Sequence, residues 1–236
     1  ITLVSLFKKI FPDIFYWCDD KIDHMIWYDQ KFHNSIIEAR NNSPKNFGAV
    51  YESMQLTSSV KKILTANEIL ELVSFITQTD IPNLSCRSSI IRMDCPEDNR
   101  NSIDWHSDII TFKKHFPIDG ITVNIALHDV LPKHGSVKFL LNSFKEKNIQ
   151  VISEGDGERD SDYYNISNKI IEKYKIFQSK EFSLGSIAIF PMSLIHKSGD
   201  NISNKVRISG VFRYYPIHSK NYLFQKEEIV DSEVKI

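Results

Sequence analysis

Trp105-His106-Ser107-Asp108, and the later run Gly185-Ser-Ile-Ala-Ile-Phe-Pro-Met-Ser-Leu-Ile-His196-Lys-Ser-Gly-Asp-Asn-Ile-Ser-Asn-Lys-Val-Arg207, decide how this chain is read. His-x-Asp followed far downstream by one more His is the ligand pattern of a mononuclear non-haem iron site. Two neutral imidazoles and one carboxylate occupy one face of an octahedron and leave three positions open. On an extended segment the side chains of His106 and Asp108 point to the same side, so both reach one metal while Ser107 points away. A lone His-x-Asp occurs by chance in many chains. The specificity comes from His196 and from Arg207, with ten residues between them.

The surrounding pattern is that of a β protein with helices in front. Gly120–Asp129 alternates, with Ile121, Val123, Ile125 and Leu127 on one face and Thr122, Asn124, Ala126 and His128 on the other. Ile90 and Ile91, Val137–Leu141, Ser186–Phe190 and Val206–Tyr215 read as further strands. The first forty residues read as helical, with Pro12 opening a new helix and Asn41–Gly48 a loop by composition. Thr65-Ala-Asn-Glu68 reads as a capping box for a helix ending near Thr79, which packs on the outside of the sheet. Asn168–Phe177 reads as a short helix, and acidic Ser153–Asp162 as a solvated loop. With Tyr163 and Tyr164 that loop is expected to form a mobile lid near the substrate opening. The predicted architecture is mainly β with α additions: a jelly-roll, cupin-like barrel with N-terminal helices packed outside. About 1–85 is the mainly helical part, about 86–216 the core and 217–236 a C-terminal tail.

From Ile90 to Tyr215 the chain resembles the phytanoyl-CoA dioxygenase family of Fe(II)/2-oxoglutarate oxygenases, which includes the ectoine hydroxylases. The resemblance rests on Trp-His-Ser-Asp, the strand Gly120–Asp129, the turn His134-Gly135-Ser136, and Arg207-Ile-Ser-Gly-Val-Phe-Arg-Tyr-Tyr215. Asn142-Ser143-Phe144-Lys145 stands where many members have Pro-Gly-Ser-His. The resemblance implies a double-stranded β-helix holding iron at one open end, with 1–236 forming a single oxygenase domain. It implies that His106, Asp108 and His196 bind Fe(II), and that 2-oxoglutarate and O2 fill the remaining positions. Decarboxylation to succinate and CO2 would then be coupled to hydroxylation of a small organic molecule. It assigns Arg207 to the far carboxylate of 2-oxoglutarate, because a guanidinium meets a carboxylate with two parallel hydrogen bonds. Ser198 would be a second donor to that carboxylate. Asn124 stands where many relatives have a Trp that lines the co-substrate pocket; its roles there would be to bond 2-oxoglutarate, to bond substrate or to satisfy a backbone group. His115 and Thr122 are candidates for touching substrate. Halogenases of the superfamily lack the carboxylate ligand, so Asp108 favours hydroxylation or a related oxidation. Two rivals remain: a catalytically inactive cupin-like binding or scaffold protein, and a metal-dependent cupin isomerase or hydrolase without co-substrate.

Composition narrows the classes. The chain has 236 residues, 42% hydrophobic and 25% charged, with a formal net charge of −1. That is ordinary for a globular protein and supplies no global field to draw nucleic acid or anionic lipid, so neither is expected as a partner. The three cysteines, Cys18, Cys86 and Cys95, form no Cys-x-x-Cys and point to a reducing compartment without disulfides. The apolar start is broken by Lys8-Lys9 and is too short for a membrane span, so a cytoplasmic protein is expected.

Overall fold

The computed structural model describes residues 2–18, 24–98, 103–111, 119–146, 151–153 and 164–219. Residues 154–163 of the expected lid, His115, and the tail from 220 onward lie outside the described residues. Six helices come first: α1 (Thr2–Ile10), α2 (Pro12–Phe15), α3 (Gln30–Asn42), α4 (Pro44–Gln55), α5 (Ser58–Leu64) and α6 (Asn67–Thr77). Pro12 and Pro44 each stand in the first turn of a helix, where a missing N–H costs nothing. The expected loop at Asn41–Gly48 is therefore corrected. Only Ser43 interrupts the helices, because α4 must begin at Pro44 to bury Phe47 and Val50. The expected capping box is corrected too. The Thr65 hydroxyl donates to the Lys61 carbonyl (2.9 Å), closing α5, and Ala66 precedes α6 without a side-chain cap. The α5–α6 connection is too short for Thr65 to serve both helices.

The strands are β1 (Leu84–Asp94), β2 (Ile121–Ala126), β3 (Lys138–Leu140), β4 (Val151–Ser153), β5 (Tyr164–Ile166), β6 (Ile176–Gln178), β7 (Ile187–Pro191), β8 (His196–Lys197) and β9 (Arg207–Pro216). Two short helices interrupt them, α7 (Asp108–Thr111) and α8 (Asn168–Ile171). The expected helix Asn168–Phe177 is thus confined to its first turn, and Ile176–Gln178 pairs with β3 instead. The main sheet runs β1-β9-β2-β7, a smaller one runs β6-β3-β8, and every strand pairing among the described residues is antiparallel. This is the expected double-stranded β-helix core, with the helices gathered at the N-terminus.

Strand alternation decides what each face of the main sheet does. Ile91, Met93, Ile121, Val123, Ile125, Ile208, Phe212 and Tyr214 face outward into one core with the N-terminal helices, joined by Phe7, Phe15, Phe32, Phe47 and Val73. The Phe7 and Phe15 rings stack at 4.8 Å, and Tyr214 donates its hydroxyl to the Leu64 carbonyl. β1 is an edge strand, and α4 covers it: the Gln55 amide accepts from the Ile91 N–H (2.6 Å) and donates to its carbonyl (3.0 Å). The opposite face of the sheet carries Thr122, Asn124, Arg207, Ser209, Val211 and Arg213. It is left for chemistry because the helices occupy the other side. All three cysteines are free thiols.

Buried histidines tie the helices to β9. His33 Nε2 donates to the Trp27 carbonyl, and its Nδ1 accepts the Val206 N–H (3.0 Å). His128 Nε2 accepts the Ile208 N–H (2.9 Å). Protonating that nitrogen would set donor against donor. Burial, with His33 nearby, pushes His128 down to about 4 from 6.5. Between those values the unfolded chain binds the proton that the folded chain refuses. The stability contributed is present above pH 6.5 and is lost as pH falls toward 4, by about 3 kcal/mol for one such group. Urea unfolding of metal-free protein is expected to show a lower midpoint at pH 4.5 than at pH 7. His128→Gln keeps an acceptor for Ile208 but cannot titrate, and it should shrink that difference. An unchanged difference in the variant would clear His128 of the effect.

Candidate metal centre

His106 and His196 meet as backbone neighbours before they meet as side chains. The His106 N–H donates to the His196 carbonyl (3.0 Å) and the His196 N–H to the His106 carbonyl (2.8 Å). The pairing sets the imidazole centroids 4.3 Å apart. Each histidine is anchored by its neighbours in sequence. Trp105 is buried against Leu140, Ile166, Ile170 and Ile195. Ile195 in turn donates its N–H to the Ser143 hydroxyl (2.9 Å), which gives the Asn142–Lys145 turn a positioning task. Asp108 does not lie on an extended segment, which corrects the expected geometry. It opens α7, and the Ile109 N–H donates to the Met192 carbonyl (3.3 Å) to hold that helix start in place. A donor atom from each of His106, Asp108 and His196 falls within 4.8 Å of the others, and all three residues are buried.

The donor set is prepared for a cation. His106 Nδ1 donates to the Asp104 carbonyl (2.7 Å) and His196 Nδ1 to the Leu194 carbonyl (2.9 Å). This selects the tautomer in which both Nε2 atoms carry a lone pair. Burial, with His196 adding to it, pushes His106 down to about 3, and burial lowers His196 as well, so both rings are neutral at pH 7. Burial alone would raise the Asp108 carboxyl. The Arg213 guanidinium outweighs it, through its charge and its hydrogen bond, and holds the group well below the usual carboxylate range. Asp108 Oδ1 accepts from Arg213 Nη2 (2.8 Å) and Oδ2 from the Thr122 hydroxyl (2.6 Å). Each oxygen keeps lone-pair capacity for a metal. Two neutral nitrogens and one carboxylate fit ferrous iron.

Beside the imidazoles lies a pocket walled by Asn124, Val137, Phe190, Ser198, Arg207 and Arg213. Asn124, Val137 and Arg207 also line a second, more apolar cavity with Phe139, Ala188 and Ser209. Phe190 packs edge-on to His196 at 4.8 Å and against Phe139 at 5.1 Å, which makes one wall apolar. Asn124 and Ser198 are half-buried at these walls. Thr122 has different work from that expected, since it is fully buried with its hydroxyl committed to Asp108.

Arg207 reaches the pocket already partnered. Its Nε (3.1 Å) and Nη2 (2.6 Å) donate to Asp94 Oδ2, and its Nη1 donates to the Gly135 carbonyl. Asp94 is also gripped by Arg92, Nη2 to Oδ1 at 2.8 Å and Nε to Oδ2 at 3.3 Å. Burial alone would raise the Asp94 carboxyl, but the two guanidinium groups bring it down to about 2. The Gly135 turn and the segment after His196 touch backbone to backbone. A Cβ on Gly199 would meet the Ser136 carbonyl oxygen at 2.5 Å, and Gly135 sits at φ +81°. Sequence reading missed Arg92, Asp94 and Arg213. Arg213 alone left a signal, because the alternation that turns Arg207 away from Val206, Ile208 and Phe212 puts Arg213 on the same side as Arg207.

The family model for phytanoyl-CoA dioxygenase (PhyH) matches residues 13–209. The chain belongs to this family. Its members use Fe(II), 2-oxoglutarate and O2. No curated protein sequence matches the chain. Among solved structures it is similar to EctD from S. alaskensis with 2-oxoglutarate and 5-hydroxyectoine, at 14% identity and a TM-score of 0.56 over 88% of this chain and 75% of that one. It is also similar to the epimerase SnoN in complex with Fe3+, alpha ketoglutarate and nogalamycin RO, at 15% identity and a TM-score of 0.54 over 70% of this chain. AviO1 from Streptomyces viridochromogenes Tue57 gives 15% identity and a TM-score of 0.51 over 69% of this chain. The chain spans 63% of the length of AviO1 and 61% of that of SnoN. These identities speak to the shared fold. Among the described residues, no helix of this family member is long and apolar enough to cross a membrane.

Proposed function

We propose that this chain is a cytoplasmic Fe(II)- and 2-oxoglutarate-dependent oxygenase that hydroxylates a small organic molecule, with 1–236 acting as one oxygenase domain. The observation that carries the reading is the donor set. His106, Asp108 and His196 converge within 4.8 Å, both imidazoles have their Nδ1 protons tied to backbone carbonyls, and Arg207 lines the adjoining pocket. When bound, iron and 2-oxoglutarate, with O2 as the oxidant, would supply oxidation of a substrate C–H bond to C–OH, with release of succinate and CO2.

The chain's own residues do the rest. His106 Nε2, His196 Nε2 and an Asp108 oxygen hold the metal. Arg213 and Thr122 fix the Asp108 carboxylate and keep it ionised. Arg207 binds the far carboxylate of 2-oxoglutarate, with Ser198 and Asn124 beside it. Phe139 and Phe190 keep water from one side of the pocket. The formal net charge of −1 gives no reason to expect a nucleic-acid substrate.

The test is an anaerobic titration of the protein with iron and then 2-oxoglutarate, followed by air and measurement of succinate. Metal-dependent binding of 2-oxoglutarate and slow succinate release are expected even without substrate. Metal binding without 2-oxoglutarate binding would favour a cupin isomerase or hydrolase. Binding of neither would favour a scaffold protein.

A further inference from the structure

Arg207 has five N–H donors. Among the described residues, its Nε and one N–H of Nη2 go to Asp94, and one N–H of Nη1 goes to the Gly135 carbonyl. One N–H on each Nη remains, enough for a second carboxylate. The cavities that Arg207 lines run from the two imidazoles to Asn124, Val137 and Ser209. Asp94 is held in turn by Arg92, which engages both of its oxygens and itself lines the pocket beside the imidazoles. The Asn201 amide donates to the Asp94 backbone carbonyl (3.0 Å), securing the main chain at that point.

We propose that Asp94 is a positioning residue for the co-substrate: held by Arg92, it orients the Arg207 guanidinium so that its unused edge meets the far carboxylate of 2-oxoglutarate. The inference rests on the reading of Arg207 given under Proposed function and adds a residue that does not itself touch the ligand. Two effects compete. Asp94 carries a negative charge near an incoming anion, which opposes binding. Arg92 neutralises much of that charge by gripping both oxygens. The orienting effect remains, and it is large because a two-bond fork tolerates misplacement of only about 0.5 Å. Asparagine at this position offers a single acceptor oxygen, so its NH2 must face one of the two guanidinium groups. Even with its oxygen kept toward Arg207, it makes bonds through an uncharged acceptor that hold the guanidinium less firmly.

The experiment compares 2-oxoglutarate with 2-oxobutyrate, which has the same keto acid but no far carboxylate. Both are titrated anaerobically into iron-loaded wild type and Asp94→Asn, with binding read by calorimetry. Wild type is expected to prefer 2-oxoglutarate. In Asp94→Asn that preference should fall by about tenfold, with 2-oxobutyrate nearly unchanged. Asp94→Glu provides a second variant should Asp94→Asn not fold: it keeps the charge but displaces the carboxylate by one methylene, and it should shift the preference in the same direction by a smaller factor. Parallel loss of both ligands would make Asp94 merely structural. An undiminished or increased preference would overturn the orienting role alone. A wild type that does not prefer 2-oxoglutarate would overturn the assignment of Arg207 as well.

Discussion

Asp108→Ala is expected to lose both the metal and the activity. In the proposed site the carboxylate would supply one of three donors and the only negative charge of the set, so its removal would take away ligation and charge balance together. Removing an outer partner of a metal ligand costs about ten- to a hundredfold in affinity or activity, and removing the ligand itself should exceed that. The surroundings add a second penalty. Arg213 donates to Asp108 at 2.8 Å and Thr122 at 2.6 Å, and both are buried. Alanine would leave a guanidinium without its carboxylate, which costs about 3–5 kcal/mol of folding stability. Two measurements separate these effects: metal content after dialysis, and the urea midpoint of metal-free protein. Turnover at the wild-type level in a folded variant would remove Asp108 from the metal site. A midpoint equal to wild type would show that Arg213 tolerates the loss of this carboxylate at no cost.

Arg207→Lys is expected to raise the apparent Michaelis constant for 2-oxoglutarate by roughly ten- to a hundredfold, the value of one charge-assisted hydrogen bond. Lysine keeps the charge but not the planar fork. It also cannot serve Asp94, Gly135 and a ligand with the same geometry, because an ammonium is a compact point of charge. Substrate affinity at saturating co-substrate should change little. Separate anaerobic titrations of the two ligands against the variant decide the matter. Normal 2-oxoglutarate binding with collapsed substrate binding would make Arg207 a substrate residue.

Much of this was legible in the amino-acid sequence, for reasons that are local. His106, Asp108, His196 and Arg207 are residue types whose chemistry is specific and whose spacing is short or set by one intervening turn. The alternation of Ile121 to Ala126 announces a strand with one apolar face whatever lies next to it, and Pro12 marks a helix start because its ring forbids a helix interior. Where local pattern competed with packing it misled. Asn41–Gly48 is polar enough for a loop, yet burial of Phe47 and Val50 draws it into α4. Thr65 had the right neighbours for a cap and was used by the preceding helix.

The sequence by itself therefore determined the strand and helix periods and singled out His106, Asp108, His196 and Arg207 as the candidates for the site. The tertiary structure alone decided what those groups rest on. Asp94 meets Arg207 across 113 positions and Arg213 meets Asp108 across 105. The first contact exists because β1 pairs with β9 in a register that sets Asp94 opposite Arg207, and the second because α7 ends up under the same sheet face. Which charges become partners at such separations depends on strand register and on the burial that fixes it. Neither is a property of any short stretch of chain.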